Sequence, residues 1–174
     1  MANLLQSLYG AVDLYAVGRF SGSAAVSAVS IGAQVMMTTG LVQGLATGGT
    51  VLIAHRIGES QPALAARAVG SLAVLLAGLS VLLTPVMLLC TRGILIVLDT
   101  PAQAMTEAVH YLLLCSAGIP FIVGYNAVAA IFRGAGDSRT PVYFIALACG
   151  VNVAGDFLLT GALGWGAAGA AAAT

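Results

Sequence analysis

Residues 141–163 read PVYFIALACGVNVAGDFLLTGAL. The run carries a single charge, Asp156. Wound as a helix at about 1.5 Å per residue it is roughly 34 Å long, enough to cross a hydrocarbon core of about 30 Å. The run therefore reads as a membrane-spanning helix. A charge at the bilayer centre costs roughly 2.5–3.5 kcal/mol on insertion scales, so a sequence that keeps Asp156 there is using it.

The rest of the chain agrees. Of 174 residues, 60% are hydrophobic and 7% charged, and the mean hydropathy is +1.03. Soluble domains carry about 25% charged residues. The apolar runs are long and unbroken rather than alternating, which favours helices over a β-barrel. The fold class is all-α, a polytopic bundle of about five spans and the start of a sixth. Net charge is zero, so no basic surface exists for nucleic acid.

The spans fall at about Ala2–Val17, Ala25–Ala54, Ala65–Leu89, Pro101–Phe132 and Pro141–Gly161, with a sixth from Ala167 to Thr174. Asp99 and Thr100 read as the cap of the fourth, with Pro101 in its first turn, where a missing N–H costs nothing. Thr140 reads as the cap of the fifth. Gly40, Gly44 and Gly48 form a double G-x-x-x-G, a spacing that favours close helix packing in lipid. Pro85 and Pro120 fall inside spans three and four, where each removes a backbone hydrogen bond. Cys90, Cys115 and Cys149 show no paired spacing and read as small buried hydrophobes. Arg56, Arg67, Arg133 and Arg139 share one side and Arg19 and Arg92 the other, which puts the N-terminus in the cytoplasm. The first span is short and the sixth stops after two turns, so the chain reads as part of a longer protein, cut at the C-terminal side and at the N-terminal side.

Four oxygen-bearing residues stand out at depth. Asn152 and Asp156, four apart, share a helix face. At about 1.5 Å per residue, Asp13 lies roughly 8 Å below the face where span one ends. Asp156 and Thr174 each lie roughly 12 Å below that same face. Two acids, an amide and a hydroxyl at one level suit a hard cation or a proton. No Arg or Lys lies deep within the spans to neutralise the acids. Two close carboxylates cannot both stay ionised cheaply, so a cation or proton belongs between them. His55 and Glu59 are also four apart and could hold a metal, but no third ligand stands nearby and Arg56 lies between them, as at a solvated helix end. His110 has no visible partner. No nucleophile motif, P-loop or dinucleotide fingerprint occurs, so an enzyme is not expected.

The stretch FRGAGDSRTPVYFIALACGVNVAGDFLLTGALGWGAAGAAAAT resembles the multidrug and toxic compound extrusion (MATE) family. That family carries R-G-x-G-D-x-x-T-P, here Arg133 to Pro141, then N-x-x-x-D, here Asn152 and Asp156, then G-x-x-G-A-A-x-A-T, here Gly166 to Thr174. LYGAVDLYAVGRFSGSAAVSAVSIG is similar to its first helix and loop, and IAHRIGESQPALAARAVG to its second cytoplasmic connection. The resemblance implies a twelve-helix, two-lobed antiporter in the cytoplasmic (inner) membrane of a prokaryote, exporting cationic, amphipathic drugs against H⁺ or Na⁺. Residues 1–174 would be most of its N-terminal lobe, with drugs, the lipid bilayer and a C-terminal lobe as partners and no cofactor beyond the coupling ion. It also implies that Asp13, Asn152, Asp156 and Thr174 match the cation-site positions of the prokaryotic DNA-damage-inducible-F (DinF) branch. Two alternatives are a lipid-linked oligosaccharide flippase of the wider superfamily and a membrane-embedded enzyme. Flippase cavities are usually more cationic than the spans here allow.

Overall fold

The computed structural model describes residues 2–37 and 40–174, with side chains from residue 10 onward. The described residues form helices and no strand: α1 (Ala2–Phe20), α2 (Ser23–Met36), α3 (Gly40–Gly58), α4 (Pro62–Val97), α5 (Ala102–Gly134) and α6 (Arg139–Gly155). A π-helical stretch, Asp156–Ala162, continues α6 without a break, and α7 (Gly166–Ala173) follows. Four stretches, Ser23–Gly58, Pro62–Val97, Ala102–Gly134 and Arg139–Ala162, are long and apolar enough to cross a membrane.

The centre is α5, which packs against α2, α3, α4 and α7. On the other side, α1 lies along α6 and the π-helical stretch. The core runs through Ile53, Leu76, Leu95, Leu112 and Ile119, all shut off from the surface. Large apolar side chains also point outward, with Val74, Val81 and Leu89 of α4 each more than 70% exposed. In water that would be costly; against lipid tails it is the expected surface.

Several local expectations change. Asp99 and Thr100 do not cap α5: no side chain caps it, and the Thr100 hydroxyl is buried without a partner among the described residues. Asp99 instead takes a left-handed backbone (φ 52°) that turns the chain, and Pro101 precedes the helix rather than opening it. At α6 the cap is Asp137, not Thr140. Its Oδ1 accepts from the N–H groups of Arg139 and Thr140, each at 3.0 Å, so the helix starts before Pro141. Bonding from the Thr140 side chain first, and then from those N–H groups, holds the Asp137 carboxyl below its ordinary value.

The glycine triplet is the larger correction. A Cβ at Gly40, Gly44 or Gly48 would meet nothing within 4 Å, so this face packs on no other described residue. Close approach happens elsewhere. A Cβ at Gly49 would strike Leu72, one at Gly134 would strike Ile53, and the ring of Tyr111 lies over Gly32. Spacing alone cannot say which face of a helix meets a neighbour. Of the cysteines only Cys115 is buried; Cys90 is exposed and Cys149 half-buried. Pro85 and Pro120 lie inside α4 and α5, which run on past them.

Candidate functional site

Three helices bring four side chains together in the half of the bundle where α1 ends and α7 begins. Asp13 comes from α1, Asn152 and Asp156 from α6 and its π-helical continuation, and Thr174 from the end of α7. All three acid and amide groups are buried: Asp13 is 4% exposed, Asn152 5% and Asp156 0%. The network fixes the Asn152 amide. With Nδ2 toward α1 it donates to Asp13 Oδ1 at 3.1 Å, and Oδ1 accepts from Thr174 N–H at 3.3 Å and Thr174 Oγ1 at 3.2 Å. The Thr174 hydroxyl also lies 3.2 Å from Asp13 Oδ2 and 2.9 Å from the Ala170 carbonyl oxygen. Asp13 therefore sits among donors.

Asp156 does not. Neither of its oxygens has a donor among the described residues. The group facing it within side-chain hydrogen-bonding reach is the Asp13 carboxylate. Two carboxylates are both acceptors, so that contact becomes attractive only with a cation or a proton between them. A buried charge without a partner is among the costliest arrangements in a protein.

The three residues that depth arithmetic levelled, with Asn152 from the same helix face as Asp156, are thus joined in one cluster. Three neighbours were not expected at the site from the sequence. Thr160, four after Asp156, is 1% exposed, and its hydroxyl donates to the Gly166 carbonyl oxygen at 3.3 Å. Cys115 of α5, hydrogen-bonded with Tyr111, lies close enough to Asp13 to feel its charge. Asn126 stands with Phe121 and Tyr125 around a cavity of about 350 Å³ that reaches Asn152 and Thr174. Thr160 was legible as the next rung of the 152, 156, 160 series. For Asn126 the signal was an amide inside span four.

The second candidate pair stays at the surface. Glu59 Oε2 accepts from Arg56 at 2.8 Å and lies 3.5 Å from His55 Nδ1, on half-exposed and exposed side chains. The arginine occupies the carboxylate that a metal would need.

Known proteins match this chain throughout. The probable multidrug resistance protein YpnP of Bacillus subtilis (strain 168) is 29% identical over 175 residues, covering 100% of this chain and 39% of that protein. The probable multidrug resistance protein YoeA of the same organism is 30% identical over 155 residues, or 88% of this chain and 34% of that protein. The chain thus spans about two fifths or less of the length of these relatives. Among solved structures, a MATE protein in the bent conformation superposes with a TM-score of 0.92 at 30% identity, over 98% of this chain and 38% of that one. The inward-facing conformation of a multidrug resistance MATE family transporter superposes with a TM-score of 0.89 at 29% identity, over 97% of this chain and 38% of that one. The MatE family model matches residues 1–158, and this multi-pass membrane protein belongs to the MATE family.

Proposed function

We propose that this chain forms one lobe of a two-lobed antiporter that exports cationic, amphipathic drugs in exchange for H⁺ or Na⁺. The observation that carries the reading is the Asp156 carboxylate, shut off from the surface with no donor and facing a second carboxylate. Such a pair has no use as helix-to-helix glue, because it repels until a cation enters. Asp13, Asn152, Asp156 and Thr174 supply the oxygens of the cation site, and the coupling ion is the cargo rather than a resident cofactor.

Coupling follows from differential binding. The cation must favour one arrangement of α1, α6 and α7 over another, since equal affinity for both would move nothing. Filling the pair draws these three helices together and reshapes the drug cavity against the partner lobe. Alternating access in secondary transporters moves one repeat against the other, and in this reading the filled pair biases that motion from within its own lobe. The arginine-rich loops face the cytoplasm in this reading, so the site lies in the outer half of a prokaryotic inner membrane.

Efflux by the assembled transporter tests it. Asp13→Asn and Asp156→Asn are each expected to bring drug export down to background while the protein remains in the membrane. Asn152→Ala and Thr174→Ala remove one neutral ligand each, a loss of about 1 kcal/mol or roughly fivefold. Parental export by both Asp→Asn variants, with unchanged dependence on H⁺ and Na⁺, would leave the pair as structural polarity and end the proposal.

A further inference from the structure

Thr160 lies one helical turn beyond Asp156, toward the face where α7 begins. It is buried, and its hydroxyl is spent on the Gly166 carbonyl oxygen. The segment from Gly166 to Ala173 reads GAAGAAAA, with no polar side chain. Backbone groups are therefore the only polar atoms by which the head of α7 can be gripped. The grip is close: a Cβ on Gly169 would lie 2.9 Å from Thr160 Oγ1, and one on Gly155 would lie 2.9 Å from the Ala173 Cβ. Two backbones meet here with one hydroxyl between them. The stretch that carries Thr160 is π-helical from Asp156 onward, with Leu163 N–H reaching back to the Leu158 carbonyl at 3.0 Å. Single π turns inside α-helices concentrate at functional sites because they shift side-chain register at small cost.

We propose that Thr160 is a positioning residue for the acid pair, a latch whose hydroxyl holds the head of α7 while the pair is filled and turns to Asp156 when it is empty. The proposal rests on reading Asp13 and Asp156 as a cation site. With a cation between the two acids, Asp156 is neutralised and Thr160 is free to bond Gly166, so the proposal assigns the observed Gly166 bond to the filled state. With the cation gone, Asp156 is a bare buried acceptor lacking a donor, the most expensive kind of unmet group. Residues four apart on a helix face have Cβ atoms about 5–6 Å apart, a gap that a carboxylate and a hydroxyl together span. Thr160 is the hydroxyl so placed on the same helix face. Its rotation satisfies the carboxylate and releases Gly166, so emptying the site loosens α7 at its first turn. No covalent change is involved, only the exchange of one acceptor for another.

The test uses the full chain in lipid nanodiscs, with two readouts. Cation uptake is followed with radioactive sodium and, for protons, with an indicator dye. Hydrogen exchange is followed at the amides of Gly169 to Ala171. In the parent, cation addition is expected to slow that exchange about fivefold, the worth of one net hydrogen bond. Thr160→Val and Thr160→Ala both take up the cation yet exchange fast with or without it. Thr160→Ser restores the response. If the parent takes up no cation, the site reading fails and the latch with it. Uptake without a change in exchange, or a normal response in either hydroxyl-less variant, overturns the latch alone. Should the valine variant not fold, the alanine and serine pair decides the matter.

Discussion

A methyl group added at Gly169 would lie 2.9 Å from Thr160 Oγ1 and 3.0 Å from the backbone carbon of Leu159. Backbone cannot swing aside as a side-chain tip can, so Gly169→Ala must push α7 off the π-helical stretch. Overpacking of this kind costs about 1–3 kcal/mol. Gly44→Ala, on a face that meets no described residue, is expected to cost nothing measurable or to stabilise through lower chain entropy. Thermal unfolding of the two variants in the same detergent checks the contrast, and equal midpoints would refute it. The sequence itself pointed the other way: Gly40, Gly44 and Gly48 carry the recognisable spacing, whereas Gly169 sits in an Ala-rich segment with no pattern around it. Spacing marks where helices are able to approach, and only the bundle decides which face has a neighbour.

At the level of elements, the runs of apolar residues placed most helix ends within a few positions, but the single span expected at Ala25–Ala54 is described as two helices, α2 and α3, and α4 runs past Leu89 to Val97. Length and hydropathy set this, and both are local. Helix ends were less legible because several side chains compete for each. At α6 the winner is Asp137, whose carboxylate serves Arg139 and Thr140 from outside the helix. Bonding to the charged form holds its carboxyl below the ordinary range. Its contribution is therefore complete above the unfolded value, near 4 for an Asp. It is lost only as pH falls through the depressed folded value. Hydrogen exchange at the Arg139 and Thr140 amides is expected to stay slow at neutral pH and to quicken below that range, once corrected for intrinsic rates. Asp137→Ala should be fast at both ends; a pH-independent parent would show that the cap contributes nothing. The cluster of Asp13, Asn152, Asp156 and Thr174 was legible for a different reason. Depth below a membrane face is simple arithmetic once spans are counted, so Asp13, Asp156 and Thr174 could be levelled before any contact was known. Thr160 escaped because a lone hydroxyl in an apolar run reads as packing until the 152, 156, 160 spacing is followed one rung further.

For the molecule as a whole, the arginines divide the two faces. Arg56, Arg67, Arg133 and Arg139 lie where α3 and α5 end and α4 and α6 begin, while Arg19 and Arg92 lie opposite. In the proposed orientation the four-to-two imbalance puts the first group in the cytoplasm. Cysteines introduced at the exposed Ser60 and Ser138 should resist an impermeant maleimide in intact cells and react once the membrane is opened. Labelling of both from outside would invert the orientation and move the acid pair to the inner half. One further consequence comes from the joint ahead of α7, where the left-handed residues Gly164 and Gly166 flank Trp165. Trp165 is the one tryptophan in the 174 residues and is 55% exposed. Light absorbed by indole in this chain is absorbed at that joint and nowhere else. These 174 residues thus carry one indole probe, at the turn between α6's continuation and α7, with no dye to attach and five tyrosines that long-wavelength excitation leaves dark.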